Sequence, residues 1–112
     1  MESSRLNLAE LVIRGQNHYK GNIVSLFNKN SEGFEQELDI DGILEPEPTN
    51  AHDPNAVILR VHGYTVGYIA HQYAEEVKKC IGTGTKVRCK LMWNRDPEAE
   101  MFTVVVMALS QA

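Results

Sequence analysis

The side chains of this 112-residue chain that could do acid–base or binding chemistry are its four histidines and the carboxylates around them. The histidines are His18, His52, His62 and His71. A histidine beside a carboxylate can act as a general base, but enzymes that use such groups place them at recognisable spacings. No Ser/His/Asp, HExxH or phosphate-loop spacing occurs here. We therefore predict that the protein is not an enzyme and uses no cofactor.

His52 and Asp53 lie in a polar loop that the sequence stiffens. Pro46 and Pro48 hold the residues before them in extended conformations, and Pro54 restricts Asp53. Asparagine and aspartate side chains in this loop favour tight turns, because they bond to nearby backbone groups. The loop therefore presents His52 and Asp53 from a rigid backbone, as binding loops commonly do. The same pattern is also typical of a well-formed turn that binds nothing.

A β-hairpin is predicted directly after this loop. Residues 56–61 and 64–69 are apolar runs, and His62-Gly63 between them has the length and chemistry of a tight turn. Gly67 lies inside the second run, where a glycine often marks a bulge or a close approach by another group. We expect the candidate site residues to lie in this stretch or to fold back against it.

One main helix and one short helix are predicted. Residues 70–81 place apolar side chains at three- and four-residue steps, which is typical of one buried helix face. These apolar residues are Ala70, Tyr73, Ala74, Val77 and Ile81. Lysines near the end of this segment and Gly82 after it suit the C-terminus of a helix. Residues 22–28 have helical spacing but are too short to be stable alone, so they must dock on the core.

The first part of the chain predicts a strand and a turn. Residues 8–15 form a strand candidate with Leu11 and Ile13 on one face. Two glycines bracket the polar turn that follows over residues 15–21. Tyr19 in this turn suits either stacking on a base or sugar, or partial burial of its ring with the hydroxyl in water.

Three further strands complete the predicted fold. Residues 34–44 predict an acidic strand that is interrupted near Asp41, and residues 86–93 alternate between inward apolar and outward basic side chains. Residues 101–109 are apolar on both parities, which favours a central strand buried on two faces. We therefore predict a mostly β fold with one main helix, a small OB-like β-barrel of five or six strands, as a single domain over residues 1–112.

Charge is divided between two segments, although the net charge is −4 and the pI is about 5.5. Residues 32–53 carry eight acids and no lysine or arginine, whereas residues 78–95 carry six bases and no acid. The segments could form opposite poles, one of which binds an anion. Alternatively, they pair as neighbouring strands and neutralise each other. The outward residues of the second segment form a candidate secondary basic patch of Lys86, Arg88 and Lys90.

The cysteines and the hydropathy indicate the compartment. Cys80 and Cys89 have a spacing that matches no zinc or CxxC pattern, so we interpret both as buried thiols in a reducing compartment. Asp39 and Asp41 lack the further ligands of a calcium loop, so no metal site is predicted. No apolar run approaches the roughly 18 residues of a membrane span, and the N-terminus resembles no targeting signal. These features predict a cytoplasmic protein without membrane contact.

Three stretches of the sequence resemble the HIRAN domain, a small module found alone in bacteria and phages and at the front of Swi/Snf-type DNA translocases in eukaryotes. Residues 15–21 read Gly-Gln-Asn-His-Tyr-Lys-Gly, residues 44–57 end in Asp-Pro-Asn-Ala-Val, and residues 63–69 contain Val-Gly-Tyr-Ile. The resemblance covers about residues 12–81, and the last two patterns together are fairly specific. The chain is identified as a member of this family, of the stand-alone bacterial or phage type.

The resemblance implies an OB-like barrel that captures the 3′ end of single-stranded DNA, with aromatic rings stacked on bases and an aspartate near the terminal hydroxyl. By position, Asp53 matches that aspartate and Tyr19 matches an aromatic residue of the first loop. Tyr68 falls on the strand that faces the DNA. The implied nucleic-acid-binding residues are Asn17, His18, Tyr19, Lys20, His52, Asp53 and Tyr68.

This chain departs from the DNA-binding members of the family at two places. Asn17 and His18 stand where those members have an Arg-Tyr pair, and His52 stands where they have a tyrosine. The two histidine rings could stack on bases in place of the missing aromatic rings. Lys20, Arg60 or the basic patch could supply the missing positive charge.

Two functions are compatible with this resemblance. The first is a non-catalytic nucleic-acid-binding module, with a role in DNA repair, that recognises single-stranded DNA or its 3′ end. The alternative is an accessory domain that keeps the barrel without binding DNA and contacts a protein partner such as a helicase or a nuclease. The DNA-binding version depends on one geometric expectation, that the loop over residues 50–55 and the turn over residues 15–21 lie side by side at the mouth of the barrel.

Overall fold

The structure is a computed structural model that describes residues 11–30 and 36–109, with side chains described as far as residue 107. Its elements in chain order are β1 (Leu11–Arg14), a 3₁₀ turn (Gln16–Tyr19), α1 (Lys20–Asn30), β2 (Glu37–Pro46), β3 (Val57–Val61), β4 (Tyr64–Ile69), α2 (His71–Ile81), β5 (Thr85–Asn94) and β6 (Met101–Leu109). Residues 8–10 of the predicted first strand and residues 34–35 of the predicted acidic strand lie outside the described residues.

The six strands close into an antiparallel barrel in the order β1-β4-β3-β2-β5-β6, with β6 paired back to β1. Successive side chains of a strand lie on opposite faces, so alternate residues point into the barrel. These inward residues form one apolar core with Ile23, Leu26 and Phe27 of α1. The prediction of a small, mostly β barrel with one main helix is therefore confirmed.

The helix predicted over residues 22–28 exists but is longer than predicted. Gly15 is in a left-handed conformation with φ 79°, and the backbone N–H of His18 then donates to the Gly15 carbonyl at 2.9 Å. The 3₁₀ turn that starts there continues directly into α1, so the predicted polar turn over residues 15–21 is helical from residue 16. Burial of an apolar face against the barrel stabilises a helix that would be marginal alone.

The predicted hairpin is confirmed as β3 and β4. His62 and Gly63 have φ values of 51° and 84°, and a two-residue primed turn requires positive φ at both positions. Gly67 allows β1 to lie on β4, because a Cβ there would collide with Cγ2 of Ile13 and lie 2.6 Å from the Arg14 carbonyl oxygen. The group that approaches this glycine closely is therefore the neighbouring strand.

The main helix, α2, begins one residue after its predicted start. Ala74, Val77 and Ile81 are buried, and Gly82 follows the helix with φ 62°. Tyr73 is 39% exposed. Its predicted place on the buried face is wrong, because α2 contacts the barrel along a narrower stripe. Neither helix in the part of the chain that the structure describes has the length and apolar character needed to span a membrane.

β2 is continuous, so its predicted interruption near Asp41 is wrong. It pairs with β5 in unbroken register over residues 37–44. The space beside Gly42 is filled, since a Cβ there would lie 3.0 Å from both Sγ of Cys89 and the carbonyl oxygen of Arg60. Glycine at this position therefore permits close packing of the barrel wall and does not break the strand.

β6 is buried on one face, whereas the sequence predicts burial on both. Phe102, Val104 and Val106 face the core, and Met101 is 57% exposed. A strand in the wall of a closed barrel has one face toward the core and the other toward solvent. Apolar residues on both parities of this strand therefore leave an apolar outer surface.

The two cysteines differ from each other in burial. Cys89 of β5 is buried as predicted, and burial, followed by the nearby Asp41 carboxylate, raises the pKa of its thiol to about 12. Cys80 is exposed on α2, so its predicted burial is wrong. It precedes the buried Ile81 on the helix and lies outside the stripe that contacts the barrel.

Candidate functional site

One cleft at the rim of the barrel collects polar and aromatic side chains from several elements. It has a volume of about 480 Å³ and lies between the end of β1, the 3₁₀ turn, the loop after β2, the end of β4 and the start of α2. Its lining includes Arg14, Tyr19, Asn50, His52, Asp53, Tyr68 and His71. The loop over residues 50–55 and the turn over residues 15–21 therefore lie side by side, as expected from the sequence.

Asn50 organises the loop that carries His52 and Asp53. Its Oδ1 accepts hydrogen bonds from the backbone N–H groups of His52 and Asp53, at 2.8 and 3.0 Å. Its Nδ2 donates to Oε1 of Glu47 at 2.8 Å. Backbone hydrogen bonds tie the loop ends together, with the Glu47 N–H donating to the Ala56 carbonyl at 2.8 Å. The turn-forming side chains of this loop therefore make the local hydrogen bonds that the sequence predicts.

The Asp53 carboxylate is held from two sides. Its Oδ1 accepts a hydrogen bond from the backbone N–H of Asn55 at 2.9 Å, and Nδ1 of His71 lies 2.8 Å from its Oδ2. The Asn55 N–H, followed by His71, lowers the pKa of Asp53, and Lys78 acts in the same direction from α2. Asp53 is therefore ionised at neutral pH, and an ionised carboxylate only accepts hydrogen bonds.

Two tyrosine rings form the aromatic part of the cleft. The hydroxyl of Tyr68 donates to Oε1 of Glu47 at 2.9 Å, which joins this ring to the Asn50 loop. Burial, followed by the hydroxyl of Tyr19 and the Glu47 carboxylate, raises the pKa of Tyr68, so the phenol is neutral. The centroids of Tyr19 and Tyr68 are 6.3 Å apart with an interplanar angle of 43°. His18 contacts Tyr19 edge-on at 4.9 Å.

The cleft brings together four of the seven residues that the sequence singles out for nucleic-acid binding, namely Tyr19, His52, Asp53 and Tyr68. The other three lie beside it on the 3₁₀ turn and the first residue of α1, where all are exposed: Asn17, His18 and Lys20. Only His18 of these has a ring contact with a cleft residue. The binding role of all seven stays a prediction.

Sequence reasoning does not place Arg14, Asn50 or His71 in the site. The signal for His71 is its position as the first residue of α2, two residues after the strand that carries Tyr68. The signal for Arg14 is a charged residue at the end of an otherwise apolar strand, directly before a glycine. Neither signal is specific without the barrel closure that brings the ends of β1 and β4 together.

The acidic and basic segments pair as neighbouring strands, which is the second of the two interpretations of the charge pattern. Nη1 of Arg88 lies 2.8 Å from Oδ1 of Asp41, and Nζ of Lys90 lies 3.4 Å from Oε1 of Glu37. We call these two pairs the charge ladder. Asp41 raises the pKa of Arg88. The basic patch therefore faces solvent with two of its three cations next to acids, and its role in binding stays a prediction.

No cluster of three or more histidine, cysteine, aspartate or glutamate side chains that could hold a metal ion occurs within residues 11–30 and 36–109. The cleft contains His52, Asp53 and His71, but the contact that orients them is the hydrogen bond between Asp53 and His71. The side chains of the cleft offer hydrogen bonds, ring faces and charge to a ligand.

The described residues form a closed antiparallel barrel with a polar and aromatic cleft at its rim. The model of the HIRAN domain family matches residues 37–108, which is more than half of the chain. The chain therefore belongs to the HIRAN family, as its motifs predict. HIRAN domains are generally DNA-binding modules and are generally not catalytic. Comparisons with curated proteins and with solved structures gave no match.

Proposed function

We propose that the cleft binds the 3′ end of single-stranded DNA. The observation that carries this proposal is the convergence of the Asp53 carboxylate and the Tyr19–Tyr68 ring pair on one cleft in a member of a family of DNA-binding modules. A free strand end offers a hydroxyl that donates a hydrogen bond, a base with two flat faces, and a phosphate one nucleotide away. The cleft offers a complementary group for each.

The carboxylate supports recognition of a terminal hydroxyl. Asp53 is ionised and 16% exposed, and its oxygens retain acceptor capacity beyond the contacts with Asn55 and His71. A hydrogen bond to a charged acceptor is roughly twice as strong as a neutral one. A 3′-phosphate in the same place would meet a like charge, so the site selects the hydroxyl terminus.

The aromatic pair supports binding of the terminal base. Tyr19 and Tyr68 are tilted relative to each other, so a base can stack on one ring while its edge meets the second. Stacking of a base on an aromatic side chain contributes about 1–3 kcal/mol and tolerates any base. The hydroxyl of Tyr68 is already bonded to Glu47, which fixes this ring before the ligand arrives.

The cations near the cleft are few, which limits the affinity. Arg14 lines the cleft, Lys20 is exposed beside Tyr19, and Lys78 of α2 lies near Asp53. Each phosphate neutralised on a single strand contributes a slope of about −0.7 to the dependence of log affinity on log salt. With at most these three contacts and a net charge of −4, we expect micromolar binding with a shallow salt dependence.

The test is a fluorescence anisotropy titration of 5′-labelled oligothymidylates that end in a 3′-hydroxyl, a 3′-phosphate or a blocked hairpin. The wild type is expected to prefer the hydroxyl terminus by about tenfold, and Asp53→Asn is expected to lose that preference because it removes the charge at constant shape. Asp41→Asn on the charge ladder is the matched control and should keep it. Equal binding of the hydroxyl and phosphate termini by the wild type would refute the proposal.

A second candidate is the accessory domain that contacts a protein such as a helicase or a nuclease. The apolar outer surface of β1, β5 and β6 favours it, since Val12 is 50% exposed there and a shallow groove lies beside it. The groove is lined by Val12, Lys90, Met92, Val105 and Met107. This candidate predicts no affinity for any of the three oligonucleotides near physiological salt.

A further inference from the structure

We propose that His71 makes the choice of strand terminus depend on pH, so that the cleft rejects a 3′-phosphate when His71 is neutral and tolerates it when His71 is charged. This inference rests on the proposed function and assigns a specificity-determining role to a residue that the sequence motifs do not include. The ligand class is single-stranded DNA that ends in a phosphate, as opposed to a hydroxyl.

The geometry places His71 between Asp53 and solvent. Nδ1 of His71 lies 2.8 Å from Oδ2 of Asp53, and both side chains line the cleft. The His71 side chain is 85% exposed, whereas that of Asp53 is 16% exposed. A terminal group that enters the cleft near Asp53 therefore meets the accessible edge of the His71 ring. The charge on that ring determines whether the pair presents a net negative charge or none.

The other charged groups around the pair keep their charge across the same pH range. The N–H of Asn55 and His71 lower the pKa of Asp53, so this carboxylate stays ionised. The pKa of Tyr68 is raised, so its phenol stays neutral. The other charged side chains near the pair are Arg14 of β1, Glu47 of the loop and Lys78 of α2. Glu75, four residues after His71 on α2, lies 3.7 Å from Nζ of Lys79. The ordinary pKa values of these residue types lie outside the range from pH 5 to 8.

Two histidines line the described part of the cleft, His52 and His71, and histidine is the side chain that changes charge between pH 5 and 8. Only His71 contacts the Asp53 carboxylate, because the polar contact of His52 is made by its backbone N–H to Asn50. A charged His71 offsets the carboxylate and offers the N–H on its Nε2 to a phosphate, because its Nδ1 is bonded to Asp53. A neutral His71 leaves the carboxylate charge uncompensated, and this charge repels a phosphate.

The experiment measures the ratio of the Kd for a 3′-phosphorylated oligothymidylate to the Kd for the 3′-hydroxyl form, at pH 5.5 and pH 8.0. Thymine does not titrate in this range. The terminal phosphate does, with a second pKa of about 6, and this contribution is the same for every variant. The variants are His71→Gln, which keeps an N–H donor without the charge, His52→Gln as the neighbouring histidine, and His62→Asn in the distant hairpin turn.

The Kd ratio is expected to rise between pH 5.5 and pH 8.0 in both the wild type and His71→Gln. The rise in the wild type should be about tenfold larger than the rise in His71→Gln. His62→Asn should behave as the wild type. His52→Gln, which removes a ring from the cleft, should weaken binding of both termini alike and keep the full rise in the ratio. If the ratio rises as much in His71→Gln as in the wild type, the inference is overturned and the proposed function stands. If the rise is lost in His52→Gln, the inference is likewise overturned and the proposed function stands. A wild type that shows no preference for the hydroxyl at pH 8.0 overturns the proposed function and this inference together.

Discussion

The cleft and the charge ladder each hold an aspartate oxygen 2.8 Å from a basic nitrogen, but the two regions use this contact differently. Asp53 meets His71 in the cleft, and Asp41 meets Arg88 on the ladder. The Asp53 side chain is 16% exposed, and that of Asp41 is 69% exposed. Exposed ion pairs contribute little to stability, because water and salt screen them. The contact distance alone therefore does not identify a functional site.

The difference lies in how each region positions its acid. The ladder follows from the register of two regular strands, in which Asp41 lies directly opposite Arg88. The cleft depends on an irregular loop in which Asn50 fixes the backbone, and Glu47 links this loop to Tyr68. Groups that are ordered before a ligand arrives lose little further entropy on binding, so a network of this kind suits recognition.

The largest loss of stability is expected from a substitution at Gly67, the glycine that precedes Tyr68 of the cleft. Gly67→Ala forces a Cβ into the backbone of β1 at a φ of 156°, and we expect a loss of about 3 kcal/mol or more in the free energy of unfolding. For a domain of this size the melting temperature should fall by roughly 10 °C or more. Circular dichroism during thermal unfolding measures the change.

Two other glycines serve as controls for this substitution. Gly42 is the counterpart in the ladder strand, where a Cβ has its nearest neighbours at 3.0 Å and φ is not positive, so Gly42→Ala should cost less, about 1–2 kcal/mol. Gly21 in α1 has no atom within 4 Å of an added Cβ, and Gly21→Ala should stabilise by about 0.5–1 kcal/mol. If Gly67→Ala lost less free energy of unfolding than Gly42→Ala, the close packing of β1 on β4 at Gly67 would not be the tighter of the two contacts.

A smaller effect is expected at the side chain that orders the cleft loop. Asn50→Ala removes the acceptor for two backbone N–H groups and the donor to Glu47, and we expect a loss of about 1–2 kcal/mol in the free energy of unfolding. Because Asp53 is no longer held in place, the preference for a 3′-hydroxyl should also fall, by about tenfold. Chemical denaturation and the anisotropy titration measure the two effects.

The matched control for Asn50 is Asn94, the last residue of β5. Oδ1 of Asn94 accepts a hydrogen bond from the backbone N–H of Asp96 at 3.1 Å, in an exposed position far along the chain from the cleft loop. Asn94→Ala should leave the preference for the strand terminus unchanged. If Asn50→Ala retained the full preference, the loop network would have no part in positioning Asp53.

Local patterns predict the elements that local chemistry determines. The His62-Gly63 turn and the helix ending before Gly82 are set by backbone requirements that their residue types reveal. The alternation of β5 likewise predicts which of its residues face the core, because strand side chains alternate. These parts of the fold depend on neighbours in sequence, and a single sequence contains that information.

The parts that could not be predicted depend on neighbours across the barrel. The residue type of Gly42 predicts an interruption of the strand. In the closed barrel wall it is instead a point of close packing. The apolar residues of β6 predict burial on both faces of the strand. A strand in a barrel wall has only one inner face, so the other face of β6 lies outside the core. The contribution of Arg14 and His71 to the cleft depends on which strand ends meet, and that depends on strand order.

The smallest effect on stability, and the clearest test of the ladder, is expected from the double variant Asp41→Asn, Glu37→Gln. It changes the net charge from −4 to −2 and removes the acids of both ladder pairs, while Asp39 stays opposite Lys90. The melting temperature should change by less than about 3 °C, because both pairs are largely open to solvent. The affinity for oligothymidylate should rise by about threefold for either terminus, with a salt slope steeper by up to about 1.4 if both cations then meet phosphates.

The preference for the hydroxyl should not change, since the cleft is intact. A double variant that binds no tighter than the wild type would show that the ladder faces away from any path that DNA takes over the barrel, and a lost preference would show that the two regions are not independent.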